Sequence, residues 1–124
     1  MAQTTTHELA HFAYHSSPHY RAVVDSLYKE MSNTTQTYIE NVLVEGIGYA
    51  DEACVDEWQA YLVAEGEAYL LPDKKVRYPL VVKKAESKRE YSAGHLREVR
   101  RELERARVSL RAEWDRGGSK AATK

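Results

Sequence analysis

Apolar residues recur at helical spacing over most of the first 65 positions, and this period predicts helices. Thr6 and Asp51 are placed to cap the first and the fourth of them, because side-chain oxygens at these positions can accept backbone N–H groups. Gly46 and Gly48 end the third helix and Gly66 ends the fourth, as is common at helix C-termini. The four predicted helices cover about 6–17, 19–31, 35–44 and 51–65.

The pattern changes after Gly66, where two short segments rich in β-forming residues follow. AYLL at 68–71 and VRYPLVV at 76–82 are separated by Pro72 and Asp73, which predicts a β-hairpin. Pro79 lacks a backbone donor, so the second strand should lie at an edge.

A long amphipathic helix is predicted for the run HLREVRRELERARVSLRAEW. Glu98 and Glu102 are spaced to pair with arginines three or four residues on. Its predicted apolar stripe consists of Leu96, Val99, Leu103, Val108 and Leu110. The chain of 124 residues should therefore form one mainly α (α+β) domain over 1–115, with a disordered tail at 116–124.

The charge balance argues against two classes of partner. Eighteen Lys and Arg stand against 19 Asp and Glu, a formal net charge of -1. Nucleic acids and anionic membranes usually need a basic surplus, so we expect neither as a partner. The longest apolar runs span a few residues, which predicts no transmembrane segment or signal peptide and favours a cytoplasmic location.

Residues 7–11 carry the His-Glu-x-x-His pattern of zinc peptidases. Each helical residue advances by about 100°, so His7 and His11 lie about 40° apart on adjacent turns and both imidazoles can reach one ion. Glu8 lies beside that ion, where it can accept a proton from activated water and pass it to the leaving amine. The helix's opposite, core-facing side is predicted to consist of Leu9, Ala10, Phe12 and Ala13.

A catalytic zinc usually has three protein ligands, so a further ligand is needed. Ser17 stands where a metzincin has its third histidine, which excludes that class. His15 has rotated about 80° from His7, and Pro18 breaks the helix before His19, so both histidines are weak candidates.

Carboxylates of the fourth helix are the stronger candidates for the third ligand. Glu57 borders the apolar stripe of that helix and is placed to face inward. Glu52 and Asp56 project to the far side, although Asp56 could instead accept a hydrogen bond from a ligating imidazole. Glu45 is the reserve ligand. Tyr61 lies one turn after Glu57 and could orient a ligand, donate to a reaction oxyanion, or simply pack in the core.

THELAHFAYH at 6–15, followed by VDEWQAYL at 55–62, resembles the two signature helices of gluzincin-type zinc metallopeptidases. The resemblance implies Zn²⁺ held by His7, His11 and Glu57, with Glu8 as general base and acid in peptide hydrolysis. The substrate would be a peptide or protein.

Gluzincin domains usually place a substrate-aligning sheet ahead of the His-Glu-x-x-His helix, whereas six residues precede His7. The strands predicted at 68–71 and 76–82 could replace that sheet, or a partner chain in a homo-oligomer could donate a strand. A third explanation is that the sequence is the C-terminal part of a longer protein.

A noncatalytic helical interaction protein is the alternative function, with or without structural zinc. The charged C-terminal helix would bind its partner through Arg97, Arg101 and Arg105.

Overall fold

A computed structural model describes residues 5–71 and 92–118, and their backbone is mainly helical. The α-helices are α1 (Thr6–Ser16), α2 (Pro18–Glu30), α3 (Asn33–Glu40), α4 (Cys54–Ala64) and α5 (Ala93–Glu113). Two π-helical turns, Asn41–Ile47 and Trp114–Gly118, extend α3 and α5, and 3₁₀ turns occupy Asp51–Ala53 and Glu67–Leu70. The mainly α fold is therefore confirmed.

Side-chain caps begin most of these helices. Thr5, Ser17, Ser32 and Ser92 each accept the backbone N–H of the residue three positions later. The prediction that Thr6 caps α1 is wrong by one residue, because Thr5 and Glu8 form a reciprocal capping box.

The predicted Asp51 cap is also wrong. Asp51 is the first residue of a 3₁₀ turn, so α4 itself begins three residues later. The residue before α4 is Ala53, which has no side-chain acceptor for the first amides.

Helix α4 is the centre of the described fold, because it packs against α1, α2, α3 and α5. Buried positions occur around most of its circumference, as expected for a helix enclosed by others. They are Cys54, Asp56, Trp58, Gln59, Ala60, Leu62 and Val63. This position lets side chains on different faces of α4 contact different helices.

Two apolar residues predicted to be buried are exposed. The side of α5 that packs inward carries Val99, Leu103 and Leu110, whereas Val108 is 61% exposed. Val108 lies about 140° around the helix from Leu103, outside the buried stripe. Phe12 is 53% exposed for the same reason, because α1 packs inward through Ala10, Ala13 and Tyr14.

The predicted strand at 68–71 is wrong, because Glu67–Leu70 forms a 3₁₀ turn. Leu70 and the next residue, Leu71, are both buried, whereas successive residues of a strand point to opposite faces. Tyr38 Oη donates to the Leu70 carbonyl at 2.6 Å and so fixes this turn against α3. The second predicted strand, at 76–82, lies outside the described residues.

Helical conformation continues to Gly118 at the C-terminal end of the described chain, and the rest of the predicted tail lies outside it. Within 5–71 and 92–118, no helix combines the length and the apolarity that a bilayer crossing requires.

Candidate metal centre

Helix α1 packs against α4, and this contact places the histidines of the His-Glu-x-x-His motif opposite Glu57. His7 Nε2 and His11 Nε2 lie 3.1 Å apart. Glu57 Oε1 lies 3.5 Å from His7 Nε2 and 3.1 Å from His11 Nε2. The structure therefore brings together three side chains that the sequence selected as metal ligands.

The spacing of these atoms fits a small divalent ion. In a tetrahedral zinc site, metal–ligand distances of about 2.0–2.1 Å place neighbouring ligand atoms roughly 3.3–3.4 Å apart. The observed separations of 3.1 to 3.5 Å bracket that value. Two imidazole nitrogens and one carboxylate oxygen are also a ligand set that zinc enzymes use.

The carboxylate oxygen at the centre of the cluster faces only the two imidazoles. Glu57 Oε1 is buried, and neither His7 Nε2 nor His11 Nε2 donates a well-directed hydrogen bond to it. A buried carboxylate oxygen without a donor is costly, so a cation between it and the imidazole nitrogens would be stabilising. The residues present therefore fit a metal ion.

Asp56 is buried beside this cluster, and the prediction that it projects outward is wrong. His11 Nδ1 donates to Asp56 Oδ1 at 2.9 Å, and Gln59 Nε2 donates to the same oxygen at 3.1 Å. His15 Nε2 donates to Asp56 Oδ2 at 2.8 Å. A helical wheel with one apolar side predicts a single buried face for α4, whereas other helices enclose α4 on several sides.

Hydrogen bonding also shifts the pKa values of this pair. The bond to Asp56 raises the pKa of His11 above its ordinary value, against the opposing effect of burial. Burial works to raise the pKa of Asp56, but hydrogen bonds from His11 and Gln59 hold it below the usual value. Asp56 is thus an ionised acceptor for His11.

The weaker ligand candidates lie elsewhere. The ring of His15 is largely exposed and bonds to Asp56, and His19 Nε2 bonds to Glu113 Oε1 at 2.8 Å. Glu45 and Glu52 are exposed. The structure brings none of these four into the group formed by His7, His11 and Glu57.

Glu8 is exposed at the start of α1, next to His7 in sequence. Its Oε1 accepts from Thr5 Oγ1 at 3.1 Å and from the Thr5 backbone N–H at 3.3 Å. Glu8 therefore also helps to cap α1, in addition to the catalytic role that the sequence predicts for it.

Tyr61 lies directly against the cluster, since its ring meets the ring of His7 edge to face with centroids 4.7 Å apart. Its hydroxyl lies 2.9 Å from the Tyr49 hydroxyl, and its ring stacks on Tyr69 at 5.0 Å. Sequence reasoning selected Tyr61 but missed Tyr49 and Tyr69. Tyr69 shares no helical repeat with the motif, so no spacing signal pointed to it.

The described fold and site define a mainly helical protein with a His–His–Glu cluster between two packed helices. Comparisons of this chain with protein-family models, curated proteins and solved structures give no match.

Proposed function

We propose that this protein is a zinc-dependent metallopeptidase that hydrolyses peptide bonds, with His7, His11 and Glu57 as the zinc ligands. The observation that carries the proposal is the convergence of their Nε2 and Oε1 atoms to within 3.1–3.5 Å of one another. The register of the motif supports hydrolysis, because the residue after the first ligand is Glu8.

Zinc held by these three residues would supply Lewis acidity, which would lower the pKa of a coordinated water to about 7 and polarise a carbonyl. To bind the ion, each imidazole would offer its Nε2 lone pair and Glu57 would contribute one negative charge, so the ligand set would leave a net positive centre for electron-rich substrate groups.

Glu8 would act as general base and then as general acid. Its carboxylate accepts a proton from the attacking water and delivers it to the leaving amine, steps that typically contribute 10²–10⁴-fold. Its contacts with Thr5 are exposed hydrogen bonds, and such bonds contribute about 1 kcal/mol each, while Thr5 still caps the helix. Turning the carboxylate from Thr5 toward the substrate therefore costs less free energy than general acid–base catalysis gains.

Tyr61 would assist from the side of His7. Its phenolic hydroxyl can donate to the oxyanion that develops on the scissile carbonyl. The contacts with Tyr49 and Tyr69 restrict the ring, which packs against the ring of His7.

Metal analysis combined with the Glu8→Gln variant tests the proposal. We expect one zinc per chain in the wild type and in Glu8→Gln, with peptide hydrolysis reduced by about 100-fold or more in the variant. Glutamine also serves in a capping box, so α1 should remain folded. Exposed Glu52→Gln is the matched control and should keep full activity.

Three outcomes would contradict the proposal. If the purified protein holds no metal, a metal-dependent mechanism is excluded. Iron in place of zinc would point to the oxygenase chemistry for which two histidines and a carboxylate are also used. If the Glu8→Gln variant still hydrolyses peptides at the wild-type rate, Glu8 is not the general base.

Binding of an acidic partner by α5 is a second candidate function. Arg97, Arg101 and Arg105 recur every fourth residue and are all exposed, so their guanidinium groups follow one stripe of the helix. Reversing these three charges should abolish partner capture while His7→Ala leaves it intact. Partner binding that is indifferent to the reversals would rule out this use of α5.

A further inference from the structure

Asp56 connects the candidate metal ligand His11 to the interior of the protein. Its Oδ1 accepts from His11 Nδ1 at 2.9 Å and from Gln59 Nε2 at 3.1 Å, while Oδ2 accepts from His15 Nε2 at 2.8 Å. Asp56 is buried, so these contacts are not exchanged freely with water. These hydrogen bonds therefore fix the orientation of the Asp56 carboxylate.

Gln59 fixes the carboxylate from the other side. Its side chain is fully buried and uses both ends of the amide. Nε2 donates to the Ala10 carbonyl at 2.9 Å as well as to Asp56, and Oε1 accepts from Tyr20 Oη at 2.8 Å. A flipped amide would place its oxygen against two acceptors, so only one orientation satisfies all the partners.

These contacts have a consequence for His11. Asp56 Oδ1 accepts from Gln59 Nε2 and lies 2.9 Å from His11 Nδ1, so the His11 nitrogen supplies the proton of that second contact. In a neutral ring the proton on Nδ1 leaves Nε2 with its lone pair, and Nε2 is the atom that faces His7 and Glu57. The hydrogen bond thus selects the tautomer that can bind a metal.

We propose that Asp56 and Gln59 are a positioning pair that fixes the tautomer and the ring orientation of His11 for metal binding. The inference rests on the proposed function in one respect, namely that the cluster binds zinc. Gln59 acts through Asp56, and Asp56 acts through His11, so neither residue contacts the metal.

Zinc affinity measured by competition with a chelator tests the pair. Asp56→Ala should weaken binding by about 10–100-fold, the usual effect of losing the acceptor behind a ligating histidine. Asp56→Asn should restore part of the affinity, because its amide oxygen still accepts from His11 Nδ1. Gln59→Leu should shift affinity in the same direction as Asp56→Ala. His19→Ala is the matched control, since that histidine bonds to Glu113 rather than to Asp56 and its loss should leave affinity unchanged.

A spectroscopic measurement on the metal-free protein separates positioning from folding. Nitrogen-15 NMR of the His11 ring, at a pH where the ring is neutral, should show the Nδ1–H tautomer in the wild type and its loss in Asp56→Ala. Thermal unfolding of each metal-free variant identifies any variant that fails to fold. If Asp56→Ala does not fold, Asp56→Asn takes its place in the comparison with the wild type.

The results distinguish the two proposals. Wild-type protein that binds zinc, with affinity unchanged in both Asp56 variants, overturns the positioning role and leaves the peptidase proposal standing. The Nε2–H tautomer in the wild type overturns it as well. Wild-type protein that binds no zinc overturns the peptidase proposal, and the inference falls with it.

Discussion

Glu57 is the side chain on which the metal proposal depends most. The two histidines are set by their spacing on α1, whereas Glu57 reaches them only because α4 packs alongside. Its side chain is 15% exposed, and its buried Oε1 faces two imidazole nitrogens. A buried carboxylate in this setting is unfavourable for folding unless a cation accompanies it.

Replacing Glu57 by Gln should therefore have opposite effects on metal binding and on folding. We expect zinc affinity to fall by more than about 100-fold, since losing a ligand should exceed the 10–100-fold effect of losing a supporting residue. The metal-free free energy of unfolding should stay constant or rise by up to about 1 kcal/mol. Chelator competition measures the affinity, and urea denaturation measures the stability.

Glu52→Gln is the control for this prediction, because Glu52 is exposed and lies just before α4. Wild-type zinc affinity in Glu57→Gln would show that the third ligand has been assigned to the wrong residue.

The helical spacing of apolar residues was enough to predict the α-helices of the described residues. The same 3.6-residue repeat placed His7 and His11 on one face of α1 and Glu57 at the inner border of α4. It failed for Asp56 and Phe12, because a wheel with one apolar side does not show which neighbours enclose a helix. Burial from several directions is decided by tertiary packing, which the spacing along one helix does not contain.

Two glutamates of α5 make contacts with the start of α3 that the sequence did not predict. The spacing predicts that Glu98 and Glu102 pair with arginines of their own helix, but both also lie within hydrogen-bond distance of the Ser32 hydroxyl at the start of α3, at 3.0 and 2.7 Å. That hydroxyl has one proton and donates to one of the two carboxylates at a time. Glu102 also accepts the Ser32 backbone N–H at 2.7 Å and the Thr35 hydroxyl. One carboxylate of α5 thus completes the N-terminal cap of another helix.

This contact should make stability depend on pH. Burial acts to raise the pKa of Glu102, but hydrogen bonds from Thr35 and Ser32 hold it below its ordinary value. A lowered pKa means that the stabilisation is present at neutral pH and is lost as the pH falls through the folded-state value. Glu102→Gln should therefore cost about 1 kcal/mol at pH 7, and the difference from wild type should shrink as the pH falls below the ordinary range of a glutamate carboxyl.

Urea denaturation across this pH range measures the effect of Glu102→Gln. The exposed neighbour Glu104 provides the control variant Glu104→Gln, which should match wild type at every pH. A destabilisation in Glu102→Gln that stays constant with pH would argue against an ionised carboxylate at this cap.

For the whole molecule, the cluster joins the N-terminal helix to the central one. His7 and His11 come from α1, Glu57 comes from α4, and α4 packs against every other α-helix described. Because the ligands meet only when these helices are packed, an ion bound there binds the folded state far better than the unfolded chain.

Zinc should therefore raise the melting temperature. Free zinc at 100 times its dissociation constant adds about 2.7 kcal/mol, which corresponds to roughly 10 °C for a domain of this size. Differential scanning calorimetry with and without a chelator measures the shift. The shift should vanish in His7→Ala and persist in His19→Ala, and a shift that survives in His7→Ala would place the ion at another site.

Because Cys54 is buried at the start of α4, its reaction with thiol reagents can be used to measure local opening of that helix. This residue is the single cysteine of the sequence, and it begins the helix that carries Glu57. Burial raises the pKa of its thiol to about 11, so an alkylating reagent should react mainly when the start of α4 opens. The labelling rate then measures how often that opening occurs, and occupancy by zinc should slow the reaction in proportion to how firmly the ion holds α4 in place.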